Sequence, residues 1–253
     1  MIRGMYIAGT GMMLQRRLME NITNNIANAD TTGYKKEHLV SHSFDDVMIE
    51  RINDTAVRGY TRLVGPLSFG TQIDQLYVDY SQGGLEGTGR STDFALTGNG
   101  GNAFFAVGTP AGERYTRNGA FYLDDMGFLV DGEGNFLLGN NGNINVGGLN
   151  FNVDQNGSIW ANDEYIDTIR VVSFADMDAL RKQGSNLYAG AAPIAPEEAY
   201  GVHQRFLELS NVDIAREMVD MLTVFRAYET NQRMLTMTDE TLNKAVNEIG
   251  RLR

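Results

Sequence analysis

The sequence predicts an α+β fold in which a long helix at each end brackets a glycine-rich all-β domain. Three observations predict it: apolar residues at heptad spacing near both termini, a middle of short alternating runs broken by glycine, and 29 Gly against 4 Pro in 253 residues. That balance favours many tight turns over stiff proline-rich linkers. A hydrophobic content of 42% is enough for a real core. The expected division is a helix and turn over 1–36, an irregular connector over 37–80, a β domain over 81–205 and a second helix over 206–253.

At the amino end, Met1, Met5, Ala8, Met12, Gln15, Met19, Ile22 and Ile26 advance by alternating steps of four and three, the seam of a coiled coil. Only Gln15 interrupts the apolar stripe. The run NNIANADTTGYKK then supplies Asn, Asp, Thr and Gly33, whose turn chemistry competes with helical bonding, so the helix should end near Asn28.

The carboxyl end repeats the pattern through Ile214, Met218, Met221, Phe225, Tyr228, Gln232, Leu235, Asp239, Leu242, Val246 and Ile249. Gln232 and Asp239 are its polar exceptions. Ser210 and Asp213 have the spacing of a capping box, with Asn211 as a competing cap, which places the helix start between Ser210 and Asp213. The helix should then run for roughly 40 residues, about 60 Å. Left alone it would expose a long hydrophobic strip, and an isolated helix is marginal in water, so folding and pairing should be coupled. An intramolecular hairpin of the two ends is one way to cover the strip.

Between the helices, DFALTGNGGNAFFAV, RYTRNGAFYLDDMGFLVDGEGNFLL, INVGGLNFNVDQNGSIWAND and DTIRVVSF read as strands and hairpins. Asp131-Gly132 and Asn156-Gly157 are the expected tight turns. Residues 35–80 are less regular, with one strand expected over 75–80.

Several chemistries find no support. Cysteine is absent, which removes disulfides, thiolate metal sites and a cysteine nucleophile. His38 and His42 would share a face if helical, with Glu37 beside them, but no further clustered ligand accompanies them, so no metal is expected. The loops at Asp131, Glu133 and Asn135 and at Asp154, Asn156 and Ser158 miss the glycine and glutamate of a calcium loop, where Phe136, Ile159, Gly142 and Tyr165 stand instead. GGLEGTG lacks the strand-to-helix setting of a nucleotide site. No nucleophile motif or spaced acid/base pair suggests an enzyme or a cofactor. Basic residues number five against two acidic in 1–36, ten against 22 in 37–205 and six against eight in 206–253. So acidic a middle argues against nucleic acid. No stretch is long and apolar enough for a membrane span, and Arg16 and Arg17 fall where a secretory signal needs its apolar run.

The terminal motifs carry a resemblance. NNIANADTTGYKK is similar to the N-N-I-A-N-x-x-T-x-G-[YF]-K signature of flagellar rod and hook proteins. STDFALTGNG, FFAV and YTRNGAFYLDDMGFLVDGEGNFLLG resemble that family's central segment, and LELSNVDIAREMVDMLTVFRAYETNQRML its carboxy-terminal signature. The resemblance spans essentially the whole chain, departs from the family at Gly101 to Ala103 by a short insertion, and looks most like the rod proteins with a single β domain, of which the distal rod protein is the best known, with a proximal rod or hook-type paralogue as the alternative. It implies a structural subunit whose two helices pack into the inner coiled-coil tube of rod or hook with the β domain outside. The partners implied are itself, neighbouring rod and hook proteins, and the flagellar type III export apparatus. The implied location is the basal body beyond the cytoplasmic membrane, reached without a cleavable signal. Interface residues would be Met5, Met12, Met19, Ile22 and Ile26 on the first helix. On the second they would be Ile214, Met218, Met221, Phe225, Tyr228, Leu235, Leu242, Val246 and Ile249. Asn24, Asn25, Asn28, Thr31, Gly33, Tyr34 and Lys35 would form the motif turn. The competing class is a free extracytoplasmic binding module, which would have no use for two apolar seams.

Overall fold

The computed structural model describes residues 2–51, 62–98, 101–148, 150–174, 176–184, 186–190, 193–194 and 200–249. A helix α1 (Ile2–Ala27) opens the chain and a helix α2 (Ile214–Ile249) closes it. Between them lie β1 (Glu37–Ser43), β2 (Val47–Arg51), β3 (Arg62–Leu67), β4 (Thr71–Val78), β5 (Leu85–Gly87), β6 (Phe94–Gly98), β7 (Phe104–Thr109), β8 (Gly112–Thr116), β9 (Tyr122–Leu123) and β10 (Leu129–Val130). They are followed by β11 (Phe136–Gly139), β12 (Gly142–Asn143), β13 (Phe151–Val153), β14 (Ser158–Ala161), β15 (Glu164–Thr168), β16 (Val171–Val172), β17 (Arg181–Gln183), β18 (Leu187–Ala189), β19 (Tyr200–Gln204) and β20 (Phe206–Glu208). The chain divides into two compact units, one of Met1–Ile26, Glu37–Tyr77 and Ile214–Arg253, the other of Ala27–Lys36 and Val78–Asp213.

In the first unit, α1 stops at Ala27, one residue before the expected end, and the chain turns as Thr31 N–H bonds the Asn28 carbonyl. Helix α2 starts at Ile214, just past the expected window. Ser210 is too far upstream to cap it. Its hydroxyl accepts from Val212 N–H instead, a local turn rather than the expected capping box. The region expected as an irregular connector holds four strands, β1 pairing with β4 and β2 with β3. The faces of β1 and β4 are mostly exposed, so the apolar alternation that announces a strand is missing from the sequence there.

The second unit contains the larger sheet, in the order β17-β18-β8-β7-β11-β10-β9, with β12 added on β11 and β16 on β7. Strand β7 is its pivot. Phe105 and Val107 enter one core with Phe94, Phe121, Leu129 and Ile159. Phe104 and Ala106 enter a second, aromatic core with Tyr115, Phe174 and Tyr188. Burial on both faces explains the unbroken run FFAV. Edge-on pairs anchor β7 in each core, Phe105 with Phe121 at 5.7 Å in the first and Phe104 with Tyr188 at 5.6 Å in the second.

Three hairpins repeat one geometry. Asp124, Asp131 and Asp154 each donate their N–H across the turn to a carbonyl four residues on, and each accepts at its own carbonyl from Gly127, Gly134 or Gly157. Those glycines have φ of +84°, +84° and +81°. The turns are therefore one-sided, a type I turn closed by one left-handed glycine, rather than two-residue turns with both central residues at positive φ. At the second, the left-handed position is Gly134, not Gly132.

Candidate functional site

Charge burial marks the motif turn. Gly33 has φ +68° and its N–H bonds the Glu208 carbonyl at 2.8 Å. Tyr34 is buried, with the Lys182 ammonium 4.0 Å above its ring. Lys35 follows, its side chain 0% exposed, and its Nζ donates to Glu208 Oε1 and to the Ser81 carbonyl, both at 2.7 Å. The other oxygen of Glu208 accepts from Arg117 Nε at 2.6 Å, and Oε1 takes a further bond from Gly83 N–H. Arg117, equally buried, spends its remaining donors on the carbonyls of Leu96, Gly101 and Ala103. Gly101 and Ala103, where a short insertion was expected, thus supply two acceptors for this guanidinium. One carboxylate therefore holds two buried cations. Burial pushes the Lys35 ammonium below its ordinary 10.5, and Glu208 opposes that fall. Nearby, Thr32 Oγ1 donates to Asn118 Oδ1, and Thr31 Oγ1 to Asn28 Oδ1. Asn211, the competing cap, instead joins Lys36 N–H to the carbonyls of Asp79 and Ser81.

The first unit has its own polar tie. Asn25, 1% exposed, accepts from Glu37 N–H and donates to the Glu37 carbonyl, and its Nδ2 also reaches Glu217 Oε2 at 3.2 Å. Asn24, its neighbour, is exposed. Nearly four turns earlier on α1, a side-chain carbon built on Gly11 would sit 2.8 Å from Asn231 Nδ2. The step from 25 to 11 on α1 thus matches the step from 217 to 231 on α2, so the two helices run antiparallel in one register over about 21 Å.

This pairing resolves the α2 seam into two rows. Glu217, Met221, Val224, Tyr228, Asn231, Leu235, Thr238, Leu242 and Ala245 are buried or half-buried, stepping by four and three. Displaced by one residue, and hence by about 100° around the helix, Met218, Leu222 and Phe225 are 53%, 59% and 48% exposed. The stripe expected from sequence mixes the rows: Met221, Tyr228, Leu235 and Leu242 belong to the covered one, whereas Ile214, Met218, Phe225 and Val246 are exposed. Ile249 ends the helix, its side chain outside the described residues. On α1, Ile22 is buried and Met5, Met12, Met19 and Ile26 are half-buried, while Tyr6, Ile7 and Met13 are exposed.

Sequence reasoning did not single out Glu208, Arg117, Glu217 or Leu222. Glu208 lies inside LELSN, so its signal was the motif rather than any spacing. His38 and His42 stand on strand β1, where residues four apart are separated by roughly 13 Å. Among the described residues no group of three or more His, Cys, Asp or Glu could hold a metal, and no helix is long and apolar enough to cross a membrane.

Three family models match the chain: "Flagella basal body rod protein" over 5–35, "Flagellar hook protein FlgE/F/G D1 domain" over 98–161 and "Flagellar basal body rod FlgEFG protein C-terminal" over 203–248. The first covers α1 with the motif turn, and the last covers Glu208 with nearly all of α2. The chain is 33% identical to the flagellar basal-body rod protein FlgG of Bacillus subtilis, covering 98% of this chain and 99% of that one. It is 31% identical to the flagellar hook-basal body complex protein FlhO of the same organism over the full length of both. It is 29% identical to the flagellar basal-body rod protein FlgF of Caulobacter vibrioides, again over both full lengths.

Proposed function

Since the chain belongs to the flagellar basal-body rod protein family, we propose that it polymerises through its terminal helices into the hollow drive shaft that carries torque towards hook and filament. Its place is the basal-body rod and its part there is structural. The supporting observation is the two-faced α2: one row packs toward α1 of the same chain, and a second apolar row lies open. A helix that has satisfied its own chain and still carries exposed Met218, Leu222 and Phe225 suits a wall in which each helix has neighbours on several sides. The buried Lys35–Glu208–Arg117 cluster suits the same role, because it ties the turn after α1 and the segment before α2 to the β core through side chains that cannot reach water.

The near full-length match to FlgG, and one β-rich unit between the helices rather than two, favour the distal-rod type over a hook subunit. The remaining parts of the reading are export by the flagellar type III apparatus, assembly outside the cytoplasmic membrane with neighbouring rod and hook proteins, and no catalysis or cofactor. Electron microscopy of the purified chain at high concentration tests polymerisation. Tubes are expected with the wild type, and dispersed particles at every concentration would count against it.

A further inference from the structure

Helix α1 and the β1–β4 sheet, in the same unit, enclose a groove of about 520 Å³. Arg17, Glu20 and Asn21 line it from the helix, and Leu39, Ile73 and Leu76 from the sheet. Glu37 and Gln75 complete the sheet side, whose apolar residues are open, with Ile73 37% and Leu76 47% exposed. Arg17 and Glu20 pair at 3.0 Å while remaining 59% and 50% exposed, so an incoming charge can reach either. Arg17, Asn21 and Asn24 each precede by one residue Leu18, Ile22 and Asn25, which lie on the covered side of α1. The groove therefore lies about 100° away from that side.

We propose that this groove receives the Met218–Leu222–Phe225–Glu229 row of α2 from a second copy of the chain, an inference that rests on the polymerisation reading above. The chemistry agrees. Met218, Leu222 and Phe225 are the exposed apolar residues that Leu39, Ile73 and Leu76 would cover. Glu229, next along the row, brings a carboxylate to the rim where the exposed Arg17 guanidinium stands.

The chain contains no cysteine, so disulfide trapping in the full-length protein has no background. Leu76→Cys and Leu222→Cys, on copies carrying tags of different size, are mixed, assembled and mildly oxidised; the bond forms only where the two Cβ atoms approach to about 3.5–4.5 Å. The mixed dimer, near twice 27.9 kDa plus tags, is expected at more than about tenfold the yield of Leu76→Cys mixed with Met126→Cys, an exposed site in a β turn that serves as the collision control. Arg17→Glu should lower that yield, and adding Glu229→Arg should restore it. Tubes visible by microscopy with a mixed yield no higher than the Met126 control overturn the groove pairing and leave polymerisation standing. Absence of tubes overturns both.

Discussion

At the scale of single residues, Glu208 is the most consequential side chain, because removing its charge strands two buried cations at once. Glu208→Gln should cost about 3–5 kcal/mol, read as a lower urea midpoint for the β unit. No spacing could have announced this, since Lys35 and Arg117 lie 173 and 91 residues away in the chain. Gly33 was legible, because a turn after a helix so often needs positive φ. It is also packed: a side-chain carbon there would lie 2.5 Å from backbone atoms of Arg117 and Asn118. Gly33→Ala should therefore lose about 1–2 kcal/mol to the backbone conformation and more to the clash. Gly132→Ala, with open space around it and no positive φ, should change stability by less than about 0.5 kcal/mol. Thermal unfolding of the two variants separates these outcomes. Burial raises the Tyr200 phenol above its ordinary 10.0. The folded state then keeps a proton that the unfolded chain releases, so this contribution is whole below pH 10 and drains away as pH climbs through the folded value. Burial raises Tyr115 in the same direction, and Lys35, lowered, contributes the opposite slope below 10.5. Tyr200→Phe should flatten the alkaline loss seen in unfolding curves above pH 10.

At the scale of elements, the helices were legible because a four-three repeat survives any detail of packing, and their boundaries fell within a residue or two of the turn chemistry. The division of α2 into two rows was not. Apolar residues occupy both rows, so periodicity alone draws one line between them; only the register set by Asn25 with Glu217 and Gly11 near Asn231 separates what faces α1 from what faces outward. Different losses follow from the two rows. Leu222→Glu, on the exposed row, should abolish tubes while leaving the far-UV circular dichroism unchanged. Val224→Glu, on the covered row, should reduce helical signal before assembly is even attempted, since it places a charge toward the partner helix of its own chain. Strand β4 overlaps the strand expected over 75–80, whereas β1 was not legible for an equally physical reason: a strand exposed along most of both faces has no hydrophobic alternation to reveal it.

At the scale of the whole molecule, the compact β-rich unit begins at Ala27 and resumes at Val78, taking in the motif turn ahead of β1. A fragment of residues 27–213, without either helix, should unfold cooperatively and fail to form tubes. A fragment of residues 37–213 lacks Gly33, Tyr34 and Lys35, and should lose on the order of 3 kcal/mol or more, as expected when one member of a buried ionic cluster is removed. Chemical denaturation of the two fragments checks this. The same cluster sets a timetable. A polypeptide emerging amino end first carries Lys35 for 173 residues before its counter-charge arrives, and so distant a closure is slow to form. The β unit stays open until Glu208 is out, and only Leu209 to Asp213 then separate it from the first residue of α2. Completion of the β unit and delivery of α2 thus fall almost together, so a copy emerging in this order cannot present α2 while most of its β unit is still to come.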